Sequence, residues 1–241
     1  MKLEICCFDI SSALIARDFG AHRIELCDNS AEGGTTPSFG YLETARQNIT
    51  IELYPIIRPR GGDFLYNEDE YRIMQKDIQV CKQSGCDGVV IGILTREGHI
   101  DKSRTAKLVQ AAYPMGVTFH RAFDRVRDPF LALEDIIEIG CERILTSGLR
   151  PTAQEGVGLI TKLIHAADDR IIIMPGSGVR SGNISALAMS TGAVEFHSSA
   201  RVVSPTMMSY INKDMRESLQ HDMCDGEEVR LMKEVLRAKT C

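Results

Sequence analysis

Four phrases with one grammar recur along the chain: "FGAHRIEL" at 19–26, "SGCDGVVIG" at 84–92, "IGCERILTSG" at 139–148 and "STGAVEFHS" at 190–198. Each places a glycine before a short run of β-forming residues, and in the first three a small residue, Ala21, Cys86 or Cys141, follows the glycine. Glycine suits the residue after a helix because the left-handed turn there costs little without a Cβ. Each phrase therefore predicts a helix C-cap feeding a strand. Four further strand-like runs lie between them, at 3–7, 51–57, 116–120 and 171–175. Helical patterns fill 10–19, 38–48, 68–84, 101–112, 128–139, 153–167, 180–189 and 226–238. Eight strands alternating with eight helices in 241 residues predict an α/β fold of the (β/α)8 barrel type. A doubly wound open sheet is the alternative, but residues 8–14 read "FDISSAL" where its glycine-rich turn would stand.

No low-complexity tract or charge block interrupts the rhythm, so 1–241 is read as one domain. The long connections, 27–37 and 199–224, both follow strands, where a barrel carries its working loops. A net charge of -5 and a pI near 5.7 argue against nucleic-acid and anionic-membrane partners, so any positive site is local. The N-terminus enters a strand at once, and no apolar run reaches about 18 residues, which predicts a cytoplasmic protein. The eight cysteines include no C-x-x-C pair and read as buried hydrophobes, metal ligands or reactive thiols.

Side chains alternate along a strand, so polar residues of common parity share a face. This groups Glu4 with Cys6; Arg23 with Glu25 and Cys27; Ile56 with Arg58 and Arg60; Thr118 with His120; and Glu195 with His197, all on the inner face. Glu4, Glu25 and Glu195 against Arg23, Arg58 and Arg60 is a near-balanced set. It predicts either an internal ion-pair network or a polar pocket at the C-terminal mouth. Pro59 restrains Arg58 to an extended backbone, and the next two glycines let the chain turn away, which would present the guanidinium groups to an anion. Pro55 predicts a bulge or a strand start. "MPGSGV" (174–179) and "FHSSAR" (196–201) follow strands seven and eight, where glycine-rich turns can hold phosphate; Gly176, Ser177, Gly178 and Ser198 are the candidates.

The phrases "LEICC", "RIELC", "EGGTTPSFG", "IIRPRGGDF", "VTFHRAFD", "RILTSG", "MPGSGV" and "EFHSSAR" occur in order from residue 3 to 201, and together they closely resemble the CutC family. The resemblance implies a TIM-type barrel, a cytoplasmic location and a role in copper homeostasis, with Cu(I) held by cysteine. The chain departs from the family after 201, reading "MMSYINKDM" at 207–215.

Cu(I) prefers soft thiolates. Cys6 and Cys27 end neighbouring strands on one inferred face and are the expected ligands, with filling of a small buried space as the alternative use. Cys7 points the other way, Cys86 and Cys141 read as packing, Cys81 lies on a helix, and Cys224 and Cys241 fall in the tail. The competing class is a lyase, isomerase or hydrolase acting on a small phosphate- or carboxylate-bearing metabolite. His120, Glu25 and His197 would supply acid and base, and Arg58, Arg60 and Arg121 the anion clamps. No lysine, Lys239 included, falls on a strand, which disfavours a Schiff-base aldolase. Exposed apolar helix residues leave a homo-oligomer open.

Overall fold

The computed structural model describes residues 1–238; Lys239 and Cys241 lie outside the described residues. Eight strands and eight helices alternate. The strands are β1 (Lys2–Cys7), β2 (Arg23–Leu26), β3 (Glu52–Pro55), β4 (Gly88–Ile91), β5 (Gly116–Phe119), β6 (Arg143–Thr146), β7 (Ile172–Pro175) and β8 (Glu195–Ser198). The helices are α1 (Ile10–Phe19), α2 (Phe39–Asn48), α3 (Glu68–Gln83), α4 (Lys102–Ala112), α5 (Pro129–Ile139), α6 (Val157–Ala167), α7 (Ser181–Thr191) and α8 (Gly226–Arg237). All the pairings within this set are parallel, in two arcs ordered β3-β2-β1-β8 and β4-β5-β6-β7. A bridge between Ile56 and Val90 joins the arcs on one side, and Ile57 N–H donates to Val90 O at 2.8 Å. β7 lies beside β8 on the other, giving a TIM-type α/β barrel.

The repeated glycines do what their position predicts. Gly20, Gly140 and Gly192 cap α1, α5 and α7 with φ of 104°, 91° and 73°. Helix starts are set by side chains: Asp9 Oδ1 accepts from Ser12 N–H at 2.7 Å, and Asn67 with Glu70 forms a capping box on α3.

Alternation sorts the strand residues as expected. Leu3, Ile5 and Cys7 of β1 pack outward into the main core beneath the helices, whereas Cys6 and Cys27 join Tyr54, Ile56 and Val90 in a second cluster inside the barrel. The floor of the barrel is polar. Arg23 binds both Glu4 and Glu195, and Arg143 Nε reaches Glu195 at 3.2 Å. Tyr54 fills the gap, its ring between the Arg23 and Arg143 guanidiniums at 5.1 and 5.2 Å. The ring is admitted because β4 and β5 begin with glycine: a Cβ on Gly88 would stand 2.1 Å from Tyr54 Cε1, and one on Gly116 2.3 Å from its hydroxyl.

Four expectations need correction. Lys2, read as lying off the strands, opens β1 in register with Glu195, with its exposed Nζ on Glu52 at 2.8 Å. Pro55 is the last residue of β3 and is neither a bulge nor a strand start; the donor it lacks faces β4, between the Asp87–Leu53 and Ile57–Val90 bonds, where the two arcs meet without a regular ladder. The 199–224 connection is not wholly loop: β9 (Arg201–Ser204) and β10 (His221–Cys224) form an antiparallel hairpin. Cys224 is therefore not loose tail; it ends β10, is buried, and its N–H donates to Ser12 Oγ at 3.0 Å.

Candidate functional site

A cavity of about 990 Å³ opens at the C-terminal end of the strands. Its inner wall carries Cys6, Glu25 and His197, and the loops after β2, β3, β5, β7 and β8 form its rim. Cys6 and Cys27 come together from adjacent strands, with their sulfurs 3.4 Å apart in a thiol hydrogen bond; both side chains are buried. The Cys6, Glu25 and Cys27 ligand atoms lie within 4.8 Å of one another, and so do those of Glu4, Glu25 and His197.

His197 links the polar floor to this group. In register with Glu4 across β1 and β8, it donates from Nδ1 to Glu4 Oε1 at 2.7 Å, which leaves Nε2 facing Glu25 Oε2 at 3.8 Å. The charges follow from these neighbours. Burial opposes ionisation of Glu4, but the Arg23 and His197 cations hold its pKa down to about 2. The Cys27 hydrogen bond, against burial and with His197 beside it, lowers the Cys6 thiol to about 6. Burial and the Cys6 partner push Cys27 well up, and burial with the adjacent thiolate does the same to Glu25. Burial alone would strip His197 of its proton, yet its bonds to Cys6 and Glu4 raise it well above the usual imidazole range. Near neutral pH the group thus holds a Cys6 thiolate and a His197 cation beside a Cys27 thiol and a Glu25 carboxyl whose ionisation is disfavoured.

His120 lines the same cavity from the end of β5. Its Nδ1 accepts from Ala122 N–H at 3.1 Å, so the neutral ring carries its proton on Nε2, a buried atom without a partner among the described residues. Burial and the Arg58 cation lower its pKa to about 3.

The arginines divide. Arg58 is buried, and its guanidinium donates to the carbonyls of Glu32 (2.6 Å), Gly34 (2.8 Å) and Gly62 (2.8 Å) while lying over the Phe64 ring. It ties the loops after β2 and β3 together through both Nη atoms, and only its buried Nε has no partner among the described residues. Arg60 is not on the inner face with Ile56. It turns outward to Glu70 at 2.5 Å and Asp63 at 2.9 Å, and the cavity wall does not include it. Arg121 lines the cavity but is bound to Asp124 Oδ2 and Ser147 Oγ at 2.8 and 2.9 Å. Ser177, Gly178 and Ser198 also line it, whereas Gly176 stands behind, next to Leu145 and His197.

Arg143, Tyr54 and Asp124 were not among the expected site residues. Arg143 could have been found, since alternation on the sixth strand places it inside with Leu145. Asp124 accepts from Thr146 Oγ1, Ser147 N–H and Leu149 N–H, bonds across 22 to 25 residues that no local spacing announces.

A barrel whose mouth gathers two thiols, an imidazole and a carboxyl belongs to the class of TIM-type barrels able to hold a soft metal ion or do thiol chemistry at the strand ends. The chain belongs to the CutC family, whose model matches residues 1–202. A CutC family protein of Chromobacterium violaceum is 51% identical over 208 residues, covering 86% of this chain and 84% of the relative. The human copper homeostasis protein cutC homolog is 46% identical over 213 residues, covering 88% of this chain and 78% of that protein. The crystal structure of CutC from Streptococcus agalactiae superposes with a TM-score of 0.78 at 35% identity, over 83% of this chain and 98% of that one. Phosphoribosyl anthranilate isomerase from Thermotoga maritima shares the fold alone, with a TM-score of 0.60 at 11% identity over 99% of each chain.

Proposed function

We propose that this protein binds Cu(I) as cargo through the thiolates of Cys6 and Cys27 in a cytoplasmic copper-homeostasis role. The observation that carries this reading is the pair of buried sulfurs 3.4 Å apart, Cys6 on the wall of an open cavity and Cys27 directly behind it. Soft, polarisable thiolates suit Cu(I), and a reducing compartment keeps both in the thiol form. Glu25, whose ligand atom lies within 4.8 Å of both sulfurs, stands ready as a third donor, and the His197 cation, oriented by the Glu4 carboxylate, balances the charge of the thiolates. The human and mouse relatives carry the name copper homeostasis protein cutC homolog, which agrees with this chemistry. No helix among the described residues is long and apolar enough to cross a membrane.

The test is an anaerobic Cu(I) titration against a competing chelator, comparing the parent with a Cys6→Ser, Cys27→Ser double variant. Stoichiometric tight binding that disappears in the double variant supports the reading. Binding indifferent to the two thiols overturns it.

A further inference from the structure

The loops after β7 and β8 are bonded to each other across the cavity mouth. Ser198 Oγ donates to Val179 O at 2.7 Å, and Arg180 Nη2 donates to Arg201 O at 2.8 Å. Just before these ties the chain reverses: Ser177 and Gly178 both take left-handed backbone, with φ of 74° and 73°. Ser177 keeps this conformation with its hydroxyl on Pro151 O at 2.7 Å and its carbonyl receiving Ala153 N–H at 3.0 Å. A reversal of this kind points successive N–H groups toward one concave side. Among the described residues, the N–H groups of Ser177, Gly178, Val179 and Ser199 have no acceptor, and all four residues line the cavity.

Two observations independent of the loop geometry indicate a ligand. The first is charge. Six arginines but only four carboxyl side chains line the cavity of a protein whose net charge is -5, and Arg180 has no carboxylate partner among the described residues. The second is His120, which is 4% exposed, carries an unpartnered Nε2–H and lines the same cavity. A buried donor left unmatched is costly, and a ligand oxygen in this cavity would satisfy it. The start of α7 is not the cradle, because Ser181 N–H and Oγ are already held by Glu228 at 2.7 and 2.8 Å.

We infer that the Ser177–Val179 turn, the Ser199 N–H and the Arg180 guanidinium hold the phosphate, or an equivalent tetrahedral oxyanion, of a small metabolite whose body lies across the cavity toward His120. Backbone N–H groups supply the geometry and the free guanidinium the charge. None of these residues is a proposed copper ligand, so the inference stands or falls apart from the copper reading.

The experiment uses the full chain labelled with ¹⁵N, titrated with inorganic phosphate against a chloride control of equal ionic strength. The amides of Ser177, Gly178, Val179 and Ser199 are expected to shift along one saturable curve. Arg180→Gln weakens that binding about tenfold, Arg180→Lys recovers part of the loss, and the Cys6→Ser, Cys27→Ser variant binds phosphate as the parent does. Retained dispersion in each spectrum establishes that the variants fold. Shifts scattered over surface lysines and arginines, or an Arg180→Gln protein that binds as tightly as the parent, overturn the inference.

Discussion

His197 Nδ1 stands 2.7 Å from Glu4 Oε1 in the interior of the barrel, and that one bond joins the charged floor to the thiol wall. Glu4 answers Arg23 with its other oxygen, so a single buried carboxylate serves two cations. The arrangement is stable only while the charges match, because an unmatched buried ion has no water to fall back on.

Glu4→Gln therefore destabilises the fold as well as the site. It removes one counter-charge from Arg23, which keeps Glu195 and the half-exposed Glu52. The expected loss is about 3 kcal/mol in denaturant unfolding. The pH dependence of stability gives a second readout. The folded pKa of Glu4, about 2, lies below its ordinary 4.5, so its contribution is complete above pH 4.5 and is lost as pH falls toward 2. The variant should flatten that part of the acid limb of the stability curve.

Proton release on copper binding separates the two thiols. At pH 7 Cys6, lowered to about 6, is already mostly thiolate, whereas Cys27 keeps its proton. Cu(I) taken up by both sulfurs should release about one proton rather than two, measured as the dependence of binding enthalpy on the ionisation enthalpy of the buffer. Release of two protons would show that Cys6 is not ionised beforehand.

Alkylation gives the same asymmetry without metal. Iodoacetamide should modify Cys6 with a rate that rises through an apparent pKa of about 6, and Cys27→Ala should move that midpoint upward by removing the hydrogen bond that stabilises the thiolate. A midpoint unchanged in the variant would assign the lowering to His197 alone.

The barrel was legible because its signals are local. A glycine after each of several helices and period-two alternation in strands are both written within a few residues, and the meeting of Cys6 with Cys27 follows from parity on adjacent strands. Arg60 failed the same rule because the rule was carried past the strand. β3 ends at Pro55, and from there to Gly62, with φ of 78°, the backbone has no two-residue period to extrapolate. The β9–β10 hairpin was missed because "RVVS" and "HDMC" are four residues each, far apart, and lack the alternation that a half-buried strand would show. Arg58 shows a different limit. Its residue type and direction suggested a ligand clamp, but whether a guanidinium is free depends on carbonyls 4 to 26 residues away.

His120 predicts a pH dependence of opposite origin to that of Glu4. Its folded pKa of about 3 lies below the ordinary 6.5, so between these values the unfolded chain binds a proton that the native ring does not. Stability from this group falls as pH drops through that window, by up to roughly 1.4 kcal/mol per pH unit. His22 is shifted in the same direction, so the comparison is made against a His120→Gln variant. Chemical denaturation at pH 6.5 and 5 should show a shallower decline in the variant; parallel declines would mean that the native ring accepts its proton near 6.5.

Arg58→Ala tests whether the guanidinium serves the loops or a ligand. Three carbonyls, those of Glu32, Gly34 and Gly62, would lose a charged donor, and the Phe64 ring would lose the cation over it. The expected cost is roughly 2 to 4 kcal/mol, concentrated in loosening of the loops after β2 and β3, and visible as faster amide exchange over residues 29–36 and 61–65. Phosphate binding at the β7 and β8 loops should be unaffected in the folded fraction, because Arg58 takes no part in that cradle. Arg58→Lys is expected to recover little, since one ammonium cannot reach carbonyls from two loops with the span of a planar fork. A variant of unchanged stability that had lost anion binding would move Arg58 from loop anchor to ligand contact.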